Sequence, residues 1–266
     1  MTLAAYVSGV GVLGPGLANW PAAAAVLADE ADYHAQRTVL HTPALLPPAE
    51  RRRIGRVVQL ALAVAAEAVT GAAIDPARLA SVFSSSGGDG HNCHALCEAL
   101  ALEAREISPT RFANSVHNAA SGYWSIATGA TLESNVLCAF DGSFCAGLLE
   151  ALAQVTVDAE AVLLVAYDTE YPEPIHAKRP VPDAFGAAFV LTPCRTATSV
   201  ARIQATLGDG TVDIMSNPRL EALRAAIPAA RCLPLLERLA RRQAGRVVHD
   251  YLEDASRLLV EVYPCA

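Results

Sequence analysis

Charge is scarce in this sequence, and what there is leans acidic. Only 18% of the 266 residues are charged, with 20 Lys plus Arg against 27 Asp plus Glu, a formal charge of −7. That balance argues against nucleic-acid binding, because a chain of phosphates must be met by a run of cations. The one dense basic cluster, Arg51-Arg52-Arg53 with Arg56, reads as the solvated start of a helix. Long apolar runs are also missing: 61–68 and 159–167 fall far short of the roughly 20 residues needed to cross a bilayer. The opening MTLAAYVSGVGVLGPG lacks a charged leader and carries glycines where a signal peptide has a continuous apolar block. A soluble, cytosolic protein without a membrane span is therefore expected. Disorder is excluded, since 53% hydrophobic residues can bury enough surface to offset the entropy of ordering. There is no internal repeat and no low-complexity linker. The seven cysteines, at 93, 97, 138, 145, 194, 232 and 265, form an odd and scattered set. They read as free buried thiols rather than a disulfide framework.

What is present is an alternation of strand and helix signals. Runs of β-branched residues predict strands over 3–12, 79–86, 135–139, 161–167, 184–191 and 201–207, with a closing strand at 258–262. A proline start and apolar residues at helical spacing predict one helix over 48–69. Further helices are predicted over 91–105, 121–130, 142–157, 220–226 and 234–242, and the Pro-rich stretch 171–182 is the longest loop candidate. Such an alternation predicts an α/β layered domain with helices packed on a sheet.

Several constellations could carry chemistry. Gly9-Val10-Gly11-Val12-Leu13-Gly14 spells GxGxxG after a strand, but Pro15-Gly16 interrupts where a helix should open, and no acidic strand end follows about 20 residues on. A structural strand-to-turn role is the better reading than a dinucleotide site. His91, Cys93, His94 and Cys97 place two pairs on different faces of one helix, so they do not converge on a metal ion. Ser84-Ser85-Ser86-Gly87-Gly88 offers a nucleophile turn or an anion nest, but lacks a GxSxG elbow and reads more simply as a strand end. The informative segment is 114–150, where a strand runs into Ala139-Phe140-Asp141-Gly142 and a helix follows at once. That strand-to-helix elbow would make a cysteine a reactive thiolate, but the residue there is Asp141.

Four stretches together resemble the β-ketoacyl synthases of the thiolase superfamily. They are Val7-Ser8-Gly9-Val10-Gly11-Val12 with Trp20, residues 118–129 (NAASGYWSIATG), residues 134–149 around the elbow, and Arg179-Pro180-Val181-Pro182-Asp183-Ala184-Phe185-Gly186-Ala187-Ala188. The resemblance covers about residues 3–210. It implies a single thiolase-like α/β domain over 1–266, with a complete N-terminal ketosynthase half to about 210 and a strongly abbreviated C-terminal part over 211–266. It also places the family's nucleophilic cysteine on Asp141. A carboxylate there is a poor nucleophile toward a thioester. The later histidines, His176 and His249, lack the glycine-rich setting of the family's decarboxylation pair.

The resemblance narrows further to shortened ketosynthase-like subunits that act as chain-length factors, notably in aryl polyene clusters. It implies a catalytically silent subunit that pairs with a full-length ketosynthase and meets acyl carrier protein through that complex. Asn118, Ala119, Ala120, Gly122, Tyr123 and Trp124 would form the dimer contact and the wall of the acyl tunnel, with ordinary core packing as the alternative for the two aromatics. No cofactor and no metal are expected. Two other readings stand beside this one: an acyltransferase or hydrolase using Asp141 or one of Ser84 to Ser86, and a homodimeric module binding carrier-protein-bound chains. Asp141 could instead be structural, stabilised at a helix N-terminus by about 0.3–1 kcal/mol, or salt-linked to a partner.

Overall fold

The computed structural model describes residues 3–157, 160–252 and 256–266. Eight strands form one sheet in the order β3-β2-β4-β5-β1-β6-β8-β7. They are β1 (Leu3–Leu13), β2 (Ala80–Ser84), β3 (Ser134–Leu137), β4 (Val162–Asp168), β5 (Phe185–Thr192), β6 (Ala201–Gly208), β7 (Gly245–Asp250) and β8 (Arg257–Pro264). β2 runs parallel to both β3 and β4, while every pairing from β4 through β5, β1, β6 and β8 to β7 is antiparallel.

Helices cover both faces, as the alternation predicts. On one face lie α3 (Arg56–Ala72) and α6 (Ala119–Thr128); on the other lie α1 (Trp20–Leu27), α7 (Ser143–Val157) and α9 (Leu233–Ala240). The remaining helices are α2 (Pro48–Arg51), α4 (Gly90–Ala101), α5 (Pro109–Ala113) and α8 (Pro218–Ala226), with a 3-10 turn at Pro228–Cys232 that packs on the α7 side.

Strand β1 shows why the GxGxxG spelling is structural. A register shift between Val7 and Gly9 inserts Ser8 as a bulge, so Ala5, Val7, Val10 and Val12 all enter the core shared with α7 despite their change of parity. Gly9 and Gly11 then face α3, where a Cβ would fall on the carbonyl oxygens of Ala68 and Val64. The glycines let a helix backbone lie directly on the strand. Glu67 completes the contact, its carboxylate accepting from Val12 N at 2.8 Å and Trp20 N at 2.6 Å.

Some expectations need correction. The predicted helix over 48–69 is two helices, broken at Arg52–Gly55, where Gly55 is extended (φ −87°, ψ 178°) and Ile54 turns into the core. The basic cluster therefore spans the break instead of starting one helix. The cysteines are not uniformly buried: Cys145 and Cys232 are, but Cys93, Cys97, Cys138 and Cys194 are exposed. α4, which carries the first two, lies on the rim with most of its surface in water. The helix α1 and the strand β7 have no counterpart among the predicted elements.

Candidate functional site

The elbow forms where β3 gives way to α7. Phe140 adopts a left-handed φ of 49°, which a non-glycine residue avoids unless its surroundings hold it. Ser143 holds it here, donating from Oγ to Phe140 O at 2.7 Å while accepting from Ala139 N at 3.0 Å. Asp141 thereby projects beside the start of α7 with about a third of its side chain in water.

Its carboxylate is fully engaged within the chain. Oδ1 accepts from Arg179 Nη2 at 2.7 Å and Oδ2 from Arg231 Nη2 at 2.9 Å. Arg231 continues to Asp250 at 3.3 Å, and Arg257 reaches the same carboxylate at 2.9 Å. Arg179 also stacks over the exposed Phe140 ring, 3.8 Å from its centroid. These partners come from the Pro-rich loop, the 3-10 turn before α9, and β7 and β8. Two arginines, rather than the free N–H groups of α7, answer the charge, so helix capping does not account for Asp141.

Of the neighbouring thiols and hydroxyls, Cys138 is exposed, with Sγ 3.2 Å from Ser86 O, and the others are buried. Cys145, one helical turn on, is buried, and burial pushes its thiol above the ordinary range. Ser84, Ser85 and Ser86 are buried at the end of β2 and its turn. Ser84 Oγ donates to Ser143 O, while Ser85 Oγ and Ser86 Oγ bond Asp168 Oδ1 at 3.3 and 2.7 Å. Among the described residues none of the three hydroxyls meets a histidine. Asp168 also accepts from Ser86 N at 2.8 Å and Ala229 N at 2.9 Å, which ties the ends of β2 and β4 to the 3-10 turn. Its complete burial pushes the carboxyl up to about 6.

His249 lies in β7, packed edge-on against Phe144 at 5.3 Å, with Nδ1 3.2 Å from Arg231 O and Nε2 without a partner among the described residues. Burial pushes it down to about 4, a neutral core imidazole. His249 is a structural neighbour of the Asp141 cluster that sequence reading set aside. The arginines around Asp141 were equally hidden, because Arg231, Asp250 and Arg257 lie 90 to 116 residues away along the chain. Among the described residues there is no cluster of three or more His, Cys, Asp or Glu that could hold a metal ion.

The predicted contact residues split between two faces of α6. Ala120, Tyr123 and Trp124 are 1%, 8% and 2% exposed and pack into the chain's own core with α3. Ala119, Gly122 and Ile126 lie on the other side and, with Asn118 and Tyr123, line a groove of about 470 Å³ against α5 and Val116. Gly122 forms its floor, with nothing within 4 Å of where a Cβ would stand. Tyr123 is anchored at the groove edge by its hydroxyl, which donates to Asn114 Oδ1 at 3.1 Å. Val116, Ile126, Phe112 and Leu132 are all about half or more exposed around it. Beside this face, β3 is an outer strand, paired on one side only.

A sequence profile described as the N-terminal domain of β-ketoacyl synthase matches residues 18–249. The chain belongs to the β-ketoacyl synthase family. No curated protein sequence matches it. Among solved structures it is similar to the complex of the ketosynthase ApeO with its chain length factor ApeC from Xenorhabdus doucetiae, with 23% identity and a TM-score of 0.72 over 97% of this chain and 99% of that one. It is similar to AntDE:AntF, a type II acyl-carrier protein in complex with its ketosynthase, with 12% identity and a TM-score of 0.77 over the full length of both chains. A ketosynthase of the bacillaene synthase from Bacillus amyloliquefaciens matches at 12% identity and a TM-score of 0.59 over 80% of this chain, which spans 47% of that one. These likenesses establish the thiolase-like fold of a β-ketoacyl synthase. No helix among the described residues is long and apolar enough to cross a membrane.

Proposed function

We propose that this β-ketoacyl synthase homologue is a non-catalytic subunit that pairs with a full-length ketosynthase and contributes a wall of its acyl tunnel, as a chain-length factor. The observation that carries the reading is the elbow, where Asp141 is clamped between Arg179 and Arg231. A carboxylate neutralised by two guanidiniums supplies neither a thiolate to hold an acyl chain nor a base to activate one. The geometry of the catalytic turn is retained while its chemistry is replaced by an internal ion-pair cluster.

The α6 groove and the outer edge of β3 support the pairing. An unpaired strand edge beside exposed apolar side chains is a surface that invites a partner. The other edge of the sheet is treated differently: loop residue Asp213 bonds Val248 N through its carboxylate at 2.7 Å, and Asp213 N donates to Val248 O at 2.9 Å. That contact blunts β7, and β3 has no such cover among the described residues. The similar solved structures that contain a chain length factor and its ketosynthase support the same assignment.

Co-expression with a full-length ketosynthase and carrier protein tests the reading. Gly122→Leu should leave this chain folded, since its side chain enters open space, and shift the product distribution toward shorter chains. An unchanged distribution from a complex that still forms would remove the tunnel-wall role.

A further inference from the structure

The cysteine pair on α4, which the pairing leaves without a role, stands one helical turn apart on a rim helix. Cys93 and Cys97 are both exposed and both free thiols. Residues four apart on a helix share a face, with Cβ atoms about 5–6 Å apart, and these two thiols are hydrogen-bonded to one another. The turn that carries Cys93 is held in place: Asp89 caps the helix, accepting from Asn92 N at 2.9 Å, and Asn92 Nδ2 donates to Arg111 O of α5 at 2.8 Å. The flanking imidazole is engaged elsewhere, with His94 Nε2 3.3 Å from Glu98 Oε1.

Two thiols at this spacing are too far apart for a disulfide, which needs Cβ atoms about 3.8 Å apart and would unwind the turn to reach it. They are too few for zinc, which takes four ligands, and among the described residues no group of three or more His, Cys, Asp or Glu converges to complete a tetrahedron. A soft d10 cation such as copper(I) favours thiolate sulfur and is satisfied by two such donors in a near-linear arrangement. We propose that Cys93 and Cys97 bind one copper(I) ion as a bridging dithiolate on the exposed face of α4. Both S–H bonds give way to S–Cu bonds, two protons pass to water, and copper stays in the +1 state, so no oxidant or reductant takes part. The complex carries a net charge of −1 and remains solvated, because both sulfurs lie on a face open to water. The site uses neither the elbow nor the α6 groove, and does not depend on the ketosynthase partner.

Anaerobic titration of the reduced, purified chain with copper(I) against a chromophoric copper(I) chelator, with native mass spectrometry for the stoichiometry, tests the site. One copper per chain is the expected result. Cys93→Ser and Cys97→Ser should each weaken binding by about a hundredfold or more, while Cys138→Ser and Cys194→Ser leave it unchanged. An excess of zinc(II) should not displace the ion. All four substitutions fall at exposed positions, so circular dichroism of each variant should match that of the parent chain. No copper uptake by the parent, undiminished binding in either Cys93→Ser or Cys97→Ser, loss of the ion in Cys138→Ser, or its displacement by zinc(II) would overturn the proposal. Failure to bind a ketosynthase would leave these affinities untouched, so the two readings fail separately.

Discussion

Asp141 concentrates the residue-scale physics. Its two ion pairs hold the Pro-rich loop and the 3-10 turn before α9 to the elbow, and Arg231 is largely buried with Nε already unpartnered. Removing the carboxylate leaves Arg231 with Asp250 alone and takes from Arg179 its ion pair, so Asp141→Ala should destabilise the fold by about 1–3 kcal/mol in urea unfolding. Asp141→Cys, which restores the family's nucleophile type, should remain unacylated by an acyl thioester, as read by intact mass. Two buried titratable groups act in opposite senses. Asp168 has a folded-state pKa raised from 3.8 to about 6, so the stability it contributes is full below 3.8 and is lost as pH rises through 6. His249 has one lowered from 6.5 to about 4, so its contribution is full above 6.5 and is lost as pH falls through 4. Each is worth on the order of 3 kcal/mol, and between about 4 and 6 they offset one another. Urea unfolding across that window should show Asp168→Asn losing stability on acidification and His249→Gln gaining it, with the wild type flatter than either.

At the scale of elements, α3 and β1 decide whether the sheet closes. Gly11→Val would drive a branched side chain into the Val64 carbonyl, and the thermal transition should fall by 10 °C or more or be lost, far beyond the effect of a surface change. This contact was half legible in the sequence. The GxGxxG spelling was visible and its missing helix argued against a nucleotide, but the reason for the glycines is a helix more than 50 residues on. The break before α3 went unread because Pro48 and the apolar spacing after Ile54 mimic one continuous helix, and only the core position of Ile54 reveals the turn. The contact helix α6 was placed to within two residues. Which of its faces is free was not legible, since Ala119 and Ala120 are equivalent until α3 occupies one side. β7 was missed because its apolar residues are few and follow Arg-rich sequence.

For the whole molecule, the family resemblance was readable because the strand, elbow and loop stretches recur in order, and the profile match over residues 18–249 covers all of them but the opening strand. What that resemblance implied for Asp141 acquires a physical form in the arginine cluster. The exposed α6 groove and the uncovered β3 edge then make pairing the central claim. A specific interface of standard size buries about 1,200–2,000 Å², and the β3 edge flanked by α6 offers strand pairing and apolar contact together. The decisive measurement is native mass spectrometry of this chain purified after co-expression with a full-length ketosynthase. A one-to-one heterodimer that Gly122→Leu weakens or remodels is the predicted result. A chain that stays alone or pairs only with itself, and turns over an acyl thioester in a manner lost in Asp141→Ala, would contradict the account.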